Sequence, residues 1–129
     1  YYGLHAHGRV PVMLNFTSGE RNVKAAIQAA GVKRVLSAKR FIDQAKLDDV
    51  MAEIATVAEI VWLDDVRKTI GLPDKVYGLM AGMMPKRFRV KTDPSSPGVI
   101  LFTSGSFGAP KGVFLSQWNL VANCRQVAQ

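Results

Sequence analysis

The stretch 99–113, VILFTSGSFGAPKGV, constrains this chain more than any other part of its sequence. Its first residues, 99–102, form a continuous apolar run of the kind typical of a strand buried on both faces. Hydroxyl side chains and glycines follow at once, and Lys111 comes near the end of the stretch. Such a turn can aim backbone N–H groups, hydroxyls and one mobile positive charge at a single anion. The sequence therefore predicts an anion-binding loop, the alternative being a glycine-rich hairpin that binds nothing.

The loop does not follow the common P-loop pattern, which needs glycine, four spacers and then Gly-Lys-Ser/Thr. Counted from Gly105, Pro110 stands where the second glycine belongs, and Gly112 stands where the Mg²⁺-binding hydroxyl belongs. The ordinary P-loop is therefore excluded.

The segment 103–112 does resemble the phosphate-binding loop of the adenylate-forming, or AMP-binding, superfamily. That superfamily includes acyl-CoA synthetases, luciferases and peptide-synthetase adenylation domains. Its pattern is roughly Thr-Ser-Gly-Ser/Thr-Thr-Gly-x-Pro-Lys-Gly, and this chain departs from it only at Phe107. The resemblance implies a grip on the β- and γ-phosphates of ATP, with Mg²⁺ accompanying the nucleotide. The residues it assigns to this grip are Thr103, Ser104, Gly105, Ser106, Gly108, Lys111 and Gly112.

Other segments of the sequence point to one family within this superfamily. The segment 8–19 is similar to one in the bifunctional bacterial 2-acylglycerophosphoethanolamine acyltransferase/acyl-[acyl-carrier-protein] synthetase family. The segments 74–77 and 83–85, and the spacing to the phosphate loop, look alike too. The resemblance implies phospholipid acyl repair in the cytoplasm, and it allows contact with the cytoplasmic face of the inner membrane.

Such enzymes join ATP and a fatty acid into an acyl-adenylate and release pyrophosphate. The thiol of an acyl-carrier protein, or of CoA, then attacks the mixed anhydride. Because the leaving pyrophosphate gains charge, backbone N–H groups and a lysine are needed to hold that charge as it develops. The resemblance assigns no acid–base or nucleophilic residue and no metal ligand in this chain.

Three departures from the family bear on these expectations. Phe107 replaces a polar residue at the loop tip, and Gln117 stands where many relatives have a histidine. The family's later acidic motif, ribose-binding aspartate and C-terminal lysine would lie beyond Gln129. We expect residues 1–129 to be part of an AMP-binding domain that ends just after the phosphate loop. Without the remainder of its chain, this part is not expected to adenylate anything.

The net charge of +7 over 129 residues admits a second hypothesis. A basic chain can bind an acidic protein, lipid headgroups or nucleic acid without catalysis. The tightest basic cluster contains Lys86, Arg87, Arg89 and Lys91, and it has only Phe88 as an aromatic neighbour. No nucleic-acid motif accompanies it, so nucleic acid is not expected as a partner. A solvated helix end and a docking surface both remain open for this cluster.

Predicted strands and helices alternate along the chain. Strands are expected near 10–16, 32–37, 59–63, 99–102 and 113–115. This pattern favours an α/β fold of three layers, with a mostly parallel sheet and helices on both faces. By resemblance it is part of the large N-terminal domain of an adenylate-forming enzyme. Ligands of such sheets lie beyond the strand C-termini, where the turn 15–19 and the loop 103–111 fall. The turn-rich segment 92–98 is predicted to be a connector.

The first two predicted helices carry regular apolar stripes. Thr17 and Glu20 fit a capping box at the start of the first helix, and Gly31 supplies its end. Its expected inward residues are Val23, Ala26, Ile27 and Ala30. A single helix is predicted over 39–57, with Asp48 and Asp49 facing water. Its expected inward residues are Leu47, Val50, Met51 and Ile54.

The later helices show the same kind of pattern. Pro73 suits the first turn of one helix, and Pro85 ends it. Its buried stripe is predicted to be Val76, Leu79, Met80 and Met83, packed in a core rather than lining a substrate channel. A last helix begins at Gln117. Its inward residues are predicted to be Leu120, Val121, Cys124 and Val127.

The remaining candidate residues favour structural roles. Asp64 and Asp65 follow a predicted strand, but adjacent side chains point apart, which favours helix N-capping over a shared metal. His5 and His7 are too few for a metal site. Because Cys124 is the single cysteine, an internal disulfide is impossible and a reducing compartment is expected.

Overall fold

The computed structural model describes residues 2–103 and 110–128, with only the backbone of Tyr2. Its helices are α1 Tyr2–Ala6, α2 Glu20–Ala29, α3 Lys39–Ala45, α4 Asp48–Ala55, α5 Leu63–Thr69, α6 Leu72–Met83, α7 Pro85–Phe88 and α8 Gln117–Val127. Its strands are β1 Val12–Met13, β2 Arg34–Ser37, β3 Glu59–Trp62, β4 Pro97–Thr103 and β5 Lys111–Ser116. A short 3-10 helix, Phe16–Ser18, precedes α2. None of the described helices is long and apolar enough to cross a bilayer.

The α/β class is confirmed, with the described strands paired in two groups. In one group β4 lies between β1, to which it is parallel, and β5, to which it is antiparallel. In the other group β2 pairs in parallel with β3, with Val35 opposite Ile60. The predicted hairpin formed by β4 and β5 is also confirmed. Its open end, at Thr103 and Lys111, lies at one end of the sheet.

The buried core lies where α2, α3 and α4 meet. Its fully buried members are Val23, Ile27, Ile42, Val50, Met51 and Ile54. The side chain of Ile27 is only 1% exposed. Leu47, Val35, Ile60 and Trp62 pack against this cluster, so the helices cover one face of the β2–β3 pair. The predicted inward faces of the first two helices are therefore confirmed at these positions.

The single helix predicted over 39–57 is two helices in the structure. Lys46 has a φ of 52°, which is left-handed backbone and ends α3. Asp48 and Asp49 then occupy the first turn of α4, where negative charge is favoured by the helix dipole. The break turns α4 so that Val50, Met51 and Ile54 still reach the core.

The capping box predicted at Thr17 and Glu20 is wrong. The N-cap of α2 is Gly19, whose φ of 87° suits glycine, and it makes no side-chain cap. Thr17 instead lies in the 3-10 helix, where its N–H and hydroxyl both donate to Asn15 Oδ1, at 3.1 and 2.7 Å. Asn15 therefore caps the 3-10 helix, and α2 begins without a side-chain cap.

The predicted buried stripes of the two later helices are exposed. On α6 the side chain of Leu79 is 67% exposed and that of Met83 is 74% exposed. On α8, Val127 is 82% exposed, and only Leu120 of the four predicted residues is half-buried. The helices themselves form as expected, but no element of the described residues covers these faces. The apolar run of β4, predicted to be buried on both faces, is also only partly buried. Val99 and Ile100 are buried, whereas Leu101 is exposed.

Candidate functional site

The candidate site lies at the open end of the β4–β5 hairpin. Thr103 and Lys111 form the last pair of the antiparallel ladder, directly opposite each other. The Thr103 hydroxyl donates to the Lys111 carbonyl oxygen at 3.4 Å, a long and weak bond that a better acceptor would replace. Both residues are exposed. The predicted residues Ser104, Gly105, Ser106 and Gly108 lie outside the described residues.

Lys111 brings a positive charge to this end of the hairpin. Within 2–103 and 110–128, no carboxylate forms an ion pair with its ammonium group. The described donors here are thus a hydroxyl and an ammonium group, which suit phosphate oxygens. They do not form a carboxylate set for a metal.

Gly112 has a packing reason to be glycine. A Cβ at this position would lie 3.3 Å from Cε1 of the Phe102 ring and 3.7 Å from Cγ2 of Ile100. The absence of a side chain lets the ring of Phe102 lie against the β5 backbone. This contact orients the strand ends on either side of the loop, namely Thr103 at the end of β4 and Lys111 at the start of β5.

The turn 15–19 shares this edge of the sheet, as the sequence predicted. Because β1 is parallel to β4, with Met13 opposite Leu101, both strands end on the same side. The hydroxyls in the turn are engaged locally, since Ser18 Oγ donates to the Asn15 carbonyl at 2.7 Å. The turn therefore borders the site without offering an unengaged hydroxyl proton.

The other end of the hairpin is fastened by His5. Its Nε2 donates to the carbonyl oxygen of Gly98, and its Nδ1 accepts from the Gln117 amide at 3.1 Å. A carbonyl can only accept, so this arrangement assigns the ring proton to Nε2. One imidazole thus bonds Gly98, the second residue of β4, and Gln117, the first residue of α8.

Gly98 is closely packed, so that a side chain there would force its neighbours to shift. A Cβ there would lie 2.7 Å from Cδ1 of Leu120 and 3.3 Å from the backbone nitrogen of Gln117. The ladder is irregular at this point, between Pro97 and Val99. Sequence reasoning gave His5 only a structural or surface role and left Gln117 without one. The two residues are 112 positions apart in the sequence, and no sequence pattern indicated their contact.

Asp64 and Asp65 form a charged corner after β3 rather than caps of their own helix. The carboxylate of Asp64 accepts the Lys39 backbone N–H at 2.7 Å and so caps α3. Asp65 bonds the ammonium groups of Lys68 and Lys39, at 2.9 and 3.1 Å. The Lys68 bond, and then the Lys39 bond, hold the pKa of Asp65 below its ordinary value. Asp64 therefore does cap a helix, but that helix is α3 and not α5, in which Asp64 itself lies. Asp65 bonds lysine side chains instead of a helix N-terminus.

A cleft of about 1310 Å³ opens between β1 and β2. Its walls are mainly apolar and include the core residues Ile42 and Ile54. Arg9, Lys33 and Arg34 also line it, although Arg34 is paired with Glu59 at 2.9 Å. Thr103 and Lys111 do not line this cleft. Among the described residues, no group of three or more His, Cys, Asp or Glu side chains is placed to hold a metal.

Comparison with known proteins gives a family for this sequence. The family model described as AMP-binding enzyme matches residues 1–129. Nonribosomal peptide synthetase 6 of Alternaria brassicicola is 31% identical over 104 residues, which are 81% of this chain and 6% of that protein. The hybrid PKS-NRPS synthetase mpsA of Macrophomina phaseolina is 34% identical over 119 residues, or 88% of this chain and 3% of that protein.

A shorter match reaches a CoA ligase. The sulfoacetate–CoA ligase of Cupriavidus necator is 50% identical over 36 residues, which are 28% of this chain and 7% of the ligase. This chain therefore spans less than a tenth of the length of each of these relatives.

A solved structure supports the fold. The structure of McyG A-PCP complexed with phenylalanyl-adenylate aligns with a TM-score of 0.62 and 19% identity. The alignment covers 95% of this chain and 18% of the McyG chain. At 19% identity this likeness establishes the fold alone.

Proposed function

The chain belongs to the AMP-binding enzyme family, and from that premise we propose that its hairpin loop holds the phosphates of ATP during adenylate formation. The enzymes of this family are adenylate-forming ligases, and they use ATP and Mg²⁺. For this chain, the observation that carries the proposal is the Thr103–Lys111 pair at the end of the hairpin. A hydroxyl and an ammonium group there bracket the stretch whose sequence matches the family's phosphate loop.

The proposed role of these residues is to hold charge. ATP and a carboxylate are both anions, and pyrophosphate leaves with more negative charge than it carries in the phosphoanhydride of ATP. Lys111 would supply a positive charge, and the backbone N–H groups of the loop would supply donors. Ser104, Gly105, Ser106, Gly108 and Gly112 complete the proposed set. A Mg²⁺ ion bound to ATP would neutralise part of the phosphate charge.

We propose a fatty acid as the acid that is activated and a thiol as the acceptor. The support is the resemblance of segments 8–19, 74–77 and 83–85 to the acyl-[acyl-carrier-protein] synthetase family. The McyG neighbour carries an A-PCP unit, and a second relative is a CoA ligase. These names support a carrier protein or CoA as the acceptor. Family membership favours this ligase over a non-catalytic basic module.

The test of the phosphate role separates the two half-reactions. In the complete polypeptide, Lys111→Ala should slow pyrophosphate release by about 10²–10³-fold, the usual effect of removing one preorganised charge donor. Transfer of the acyl group from a supplied acyl-adenylate to the thiol should change much less. Lys33→Ala is the matched control, because Lys33 is equally exposed and lies outside the hairpin. Equal losses in both half-reactions would contradict the proposal.

The choice of acid needs its own experiment. ATP–pyrophosphate exchange is measured with long-chain fatty acids and, separately, with amino acids such as phenylalanine. Exchange driven by fatty acids supports the acyl assignment. Exchange driven only by amino acids would overturn it while leaving the phosphate role of Lys111 intact.

A further inference from the structure

The cleft between β1 and β2 separates two strand edges. Among the strands that the structure describes, β1 pairs only with β4, and β2 pairs only with β3. Val12 and Met13 of β1 line the cleft, and so does Leu36 of β2. Val23 of α2 and Val50 of α4 line it as well, so the helices close one of its sides. The cleft is therefore bounded by two strand edges and a layer of helices.

The backbone of both edges points hydrogen-bonding groups toward this cleft. In a strand, the N–H and C=O of one residue point to one side, and those of the next residue point to the other. The Pro11 carbonyl accepts a backbone N–H of β4 at 3.0 Å, so the groups of Val12 point away from β4. The Lys33 carbonyl accepts the Glu59 N–H of β3 at 2.9 Å, so the groups of Arg34 point away from β3. Val12 and Arg34 therefore each present a donor and an acceptor to the cleft.

A single helical crossover connects these two edges. Helix α2 lies between β1 and β2 in the chain. Leu14, which follows β1, and Val35, in β2, pack against the same buried cluster. In α/β folds, a strand–helix–strand unit of this kind places its two strands parallel in one sheet. We therefore interpret β1 and β2 as parts of one sheet that is interrupted at the cleft.

We infer that an extended segment of the same polypeptide, the one that leads into α1, fills this cleft as a strand between β1 and β2. A strand supplies the alternating donors and acceptors that Val12 and Arg34 need, which an aliphatic ligand does not. Leu4 of α1 also lines the cleft, so a segment joined to α1 is within reach of it. The completed sheet has the order β5, β4, β1, segment, β2 and β3. This inference does not depend on the proposed phosphate role of the hairpin loop.

The direction of this strand follows from its connection. Because the segment is joined to β1 through α1, it forms a second strand–helix–strand unit and runs parallel to β1. A parallel strand between two others is covered on both faces and reads as a continuous apolar run. We therefore expect the segment to contain a run of about five apolar residues, rich in Val and Ile and without an internal proline.

The charges at one end of the cleft indicate what precedes this run. Arg9, before β1, and Lys33, before β2, both line the cleft and are exposed. Within 2–103 and 110–128, neither forms an ion pair. Both residues lie where the parallel strands begin, which is also where the segment enters the sheet. We therefore expect an acidic residue directly before the apolar run of the segment.

The first test is a cysteine scan in the purified, complete polypeptide, with every native cysteine replaced by serine. Each variant carries Met13→Cys or Leu36→Cys together with one cysteine in the segment that leads into α1. Both side chains point away from the helices, since their neighbours Leu14 and Val35 pack against the core. On oxidation, we expect the same position of the segment to form a disulfide with each edge, because neighbouring strands lie about 4.8 Å apart. Met83→Cys is the matched control, because this exposed methionine lies outside the cleft and should form none.

A second pair of variants measures the separation of the two edges. Met13→Cys with Leu36→Cys should form no disulfide, because an intervening strand sets them about 10 Å apart, beyond the reach of about 7 Å. Leu36→Cys with Val61→Cys is the positive control, since these residues lie opposite each other in β2 and β3. Hydrogen exchange needs no substitution. The Val12 N–H should exchange at least about a thousandfold more slowly than in the unfolded chain.

Each contrary result overturns the inference. A disulfide between Met13→Cys and Leu36→Cys would show that β1 and β2 meet directly. Unprotected exchange at Val12 would show that no strand covers this edge. Disulfides that join two copies of the polypeptide would assign the cleft to a second copy. A scan without disulfides, while the control pair of Leu36 and Val61 forms one, would exclude the segment before α1. None of these results depends on pyrophosphate release, which is measured separately for the proposed function.

Discussion

Helices α2 and α4 bury their apolar stripes, whereas helices α6 and α8 leave their less regular apolar stripes exposed. Ile27, on α2, is buried at the centre of the cluster that α2 and α4 form with α3. Val127, at the end of α8, is almost fully open to solvent. An apolar stripe therefore indicates which face of a helix needs a cover. It does not say whether that cover is a strand, another helix, a lipid surface or a further part of a longer chain.

The largest expected difference between these regions is in stability. Ile27→Ala should lower the free energy of unfolding by about 2–5 kcal/mol, because it removes buried methyl groups and leaves a cavity. Leu79→Ala should change it by less than about 0.5 kcal/mol, since that side chain is already exposed. Urea denaturation followed by circular dichroism gives both values. Similar losses for the two variants would mean that α6 is covered in solution.

The second prediction contrasts two glycines. Gly98→Ala should cost about 1–3 kcal/mol, since its Cβ would meet Leu120 Cδ1 at 2.7 Å and force a shift. Gly82→Ala should stabilise by up to about 1 kcal/mol, because alanine favours a helix and nothing lies within 4 Å of its Cβ. Thermal unfolding of the two variants measures both signs. A neutral Gly98→Ala would contradict the close packing at the base of the hairpin.

The third prediction concerns the imidazole at that base. His5→Ala should cost about 1–2 kcal/mol, because the Gly98 carbonyl and the Gln117 amide both lose their partner. His7→Ala is the control, and as an exposed change it should be nearly neutral. A double-mutant cycle with Gln117→Ala measures the coupling, which should be about 0.5 kcal/mol or more. Strict additivity of the two changes would show that the ring and the amide act independently.

The smallest expected effect is the pH dependence at Asp65. Its folded-state pKa lies below the ordinary value of 3.8, because of its bonds to Lys68 and Lys39. The carboxylate therefore contributes stability above that value, and the contribution is lost as the pH falls through the folded-state pKa. Asp65→Asn should remove this part of the acid dependence and leave stability at neutral pH little changed, since the corner is exposed. Acid titration of unfolding checks the difference, and identical acid profiles would count against it.

Lys68 shows the opposite sign in the alkaline range. The same bond to Asp65 raises the pKa of Lys68 above its ordinary value of 10.5. The contribution of this lysine is complete below that value and disappears as the pH rises through the raised pKa. The acid and the alkaline dependence of stability therefore both depend on the same exposed corner. In this corner the carboxylates of Asp64 and Asp65, at the start of α5, bond Lys39 at the start of α3.

Much of the local structure could be predicted from short-range patterns. The β4–β5 hairpin, the end of α2 at Gly31 and the Pro73 start of α6 follow from glycine, proline and apolar spacing. The break at Lys46 could not be predicted in this way. An apolar stripe continues across it, and the left-handed backbone occurs at a residue other than glycine.

The candidate site was predicted less completely, for a physical reason. The sequence motif identified the loop and the lysine, because such motifs lie within about ten neighbouring residues. The fastening of the hairpin by His5 depends on a contact made only when α1 folds against β4 and α8. Asp64 likewise caps α3 rather than its own helix. Contacts between residues far apart in sequence carry no periodicity, so pattern analysis cannot find them.

The single imidazole at the base of the hairpin has a consequence for the opposite end. A slip of β4 against β5 would change which residue faces Lys111, and it would also pull Gly98 and Gln117 apart. Because His5 bonds both of these residues, it favours the one register of the two strands that keeps both bonds. In that register Thr103 lies opposite Lys111. A residue near the start of the chain therefore helps to determine how two groups far along it meet.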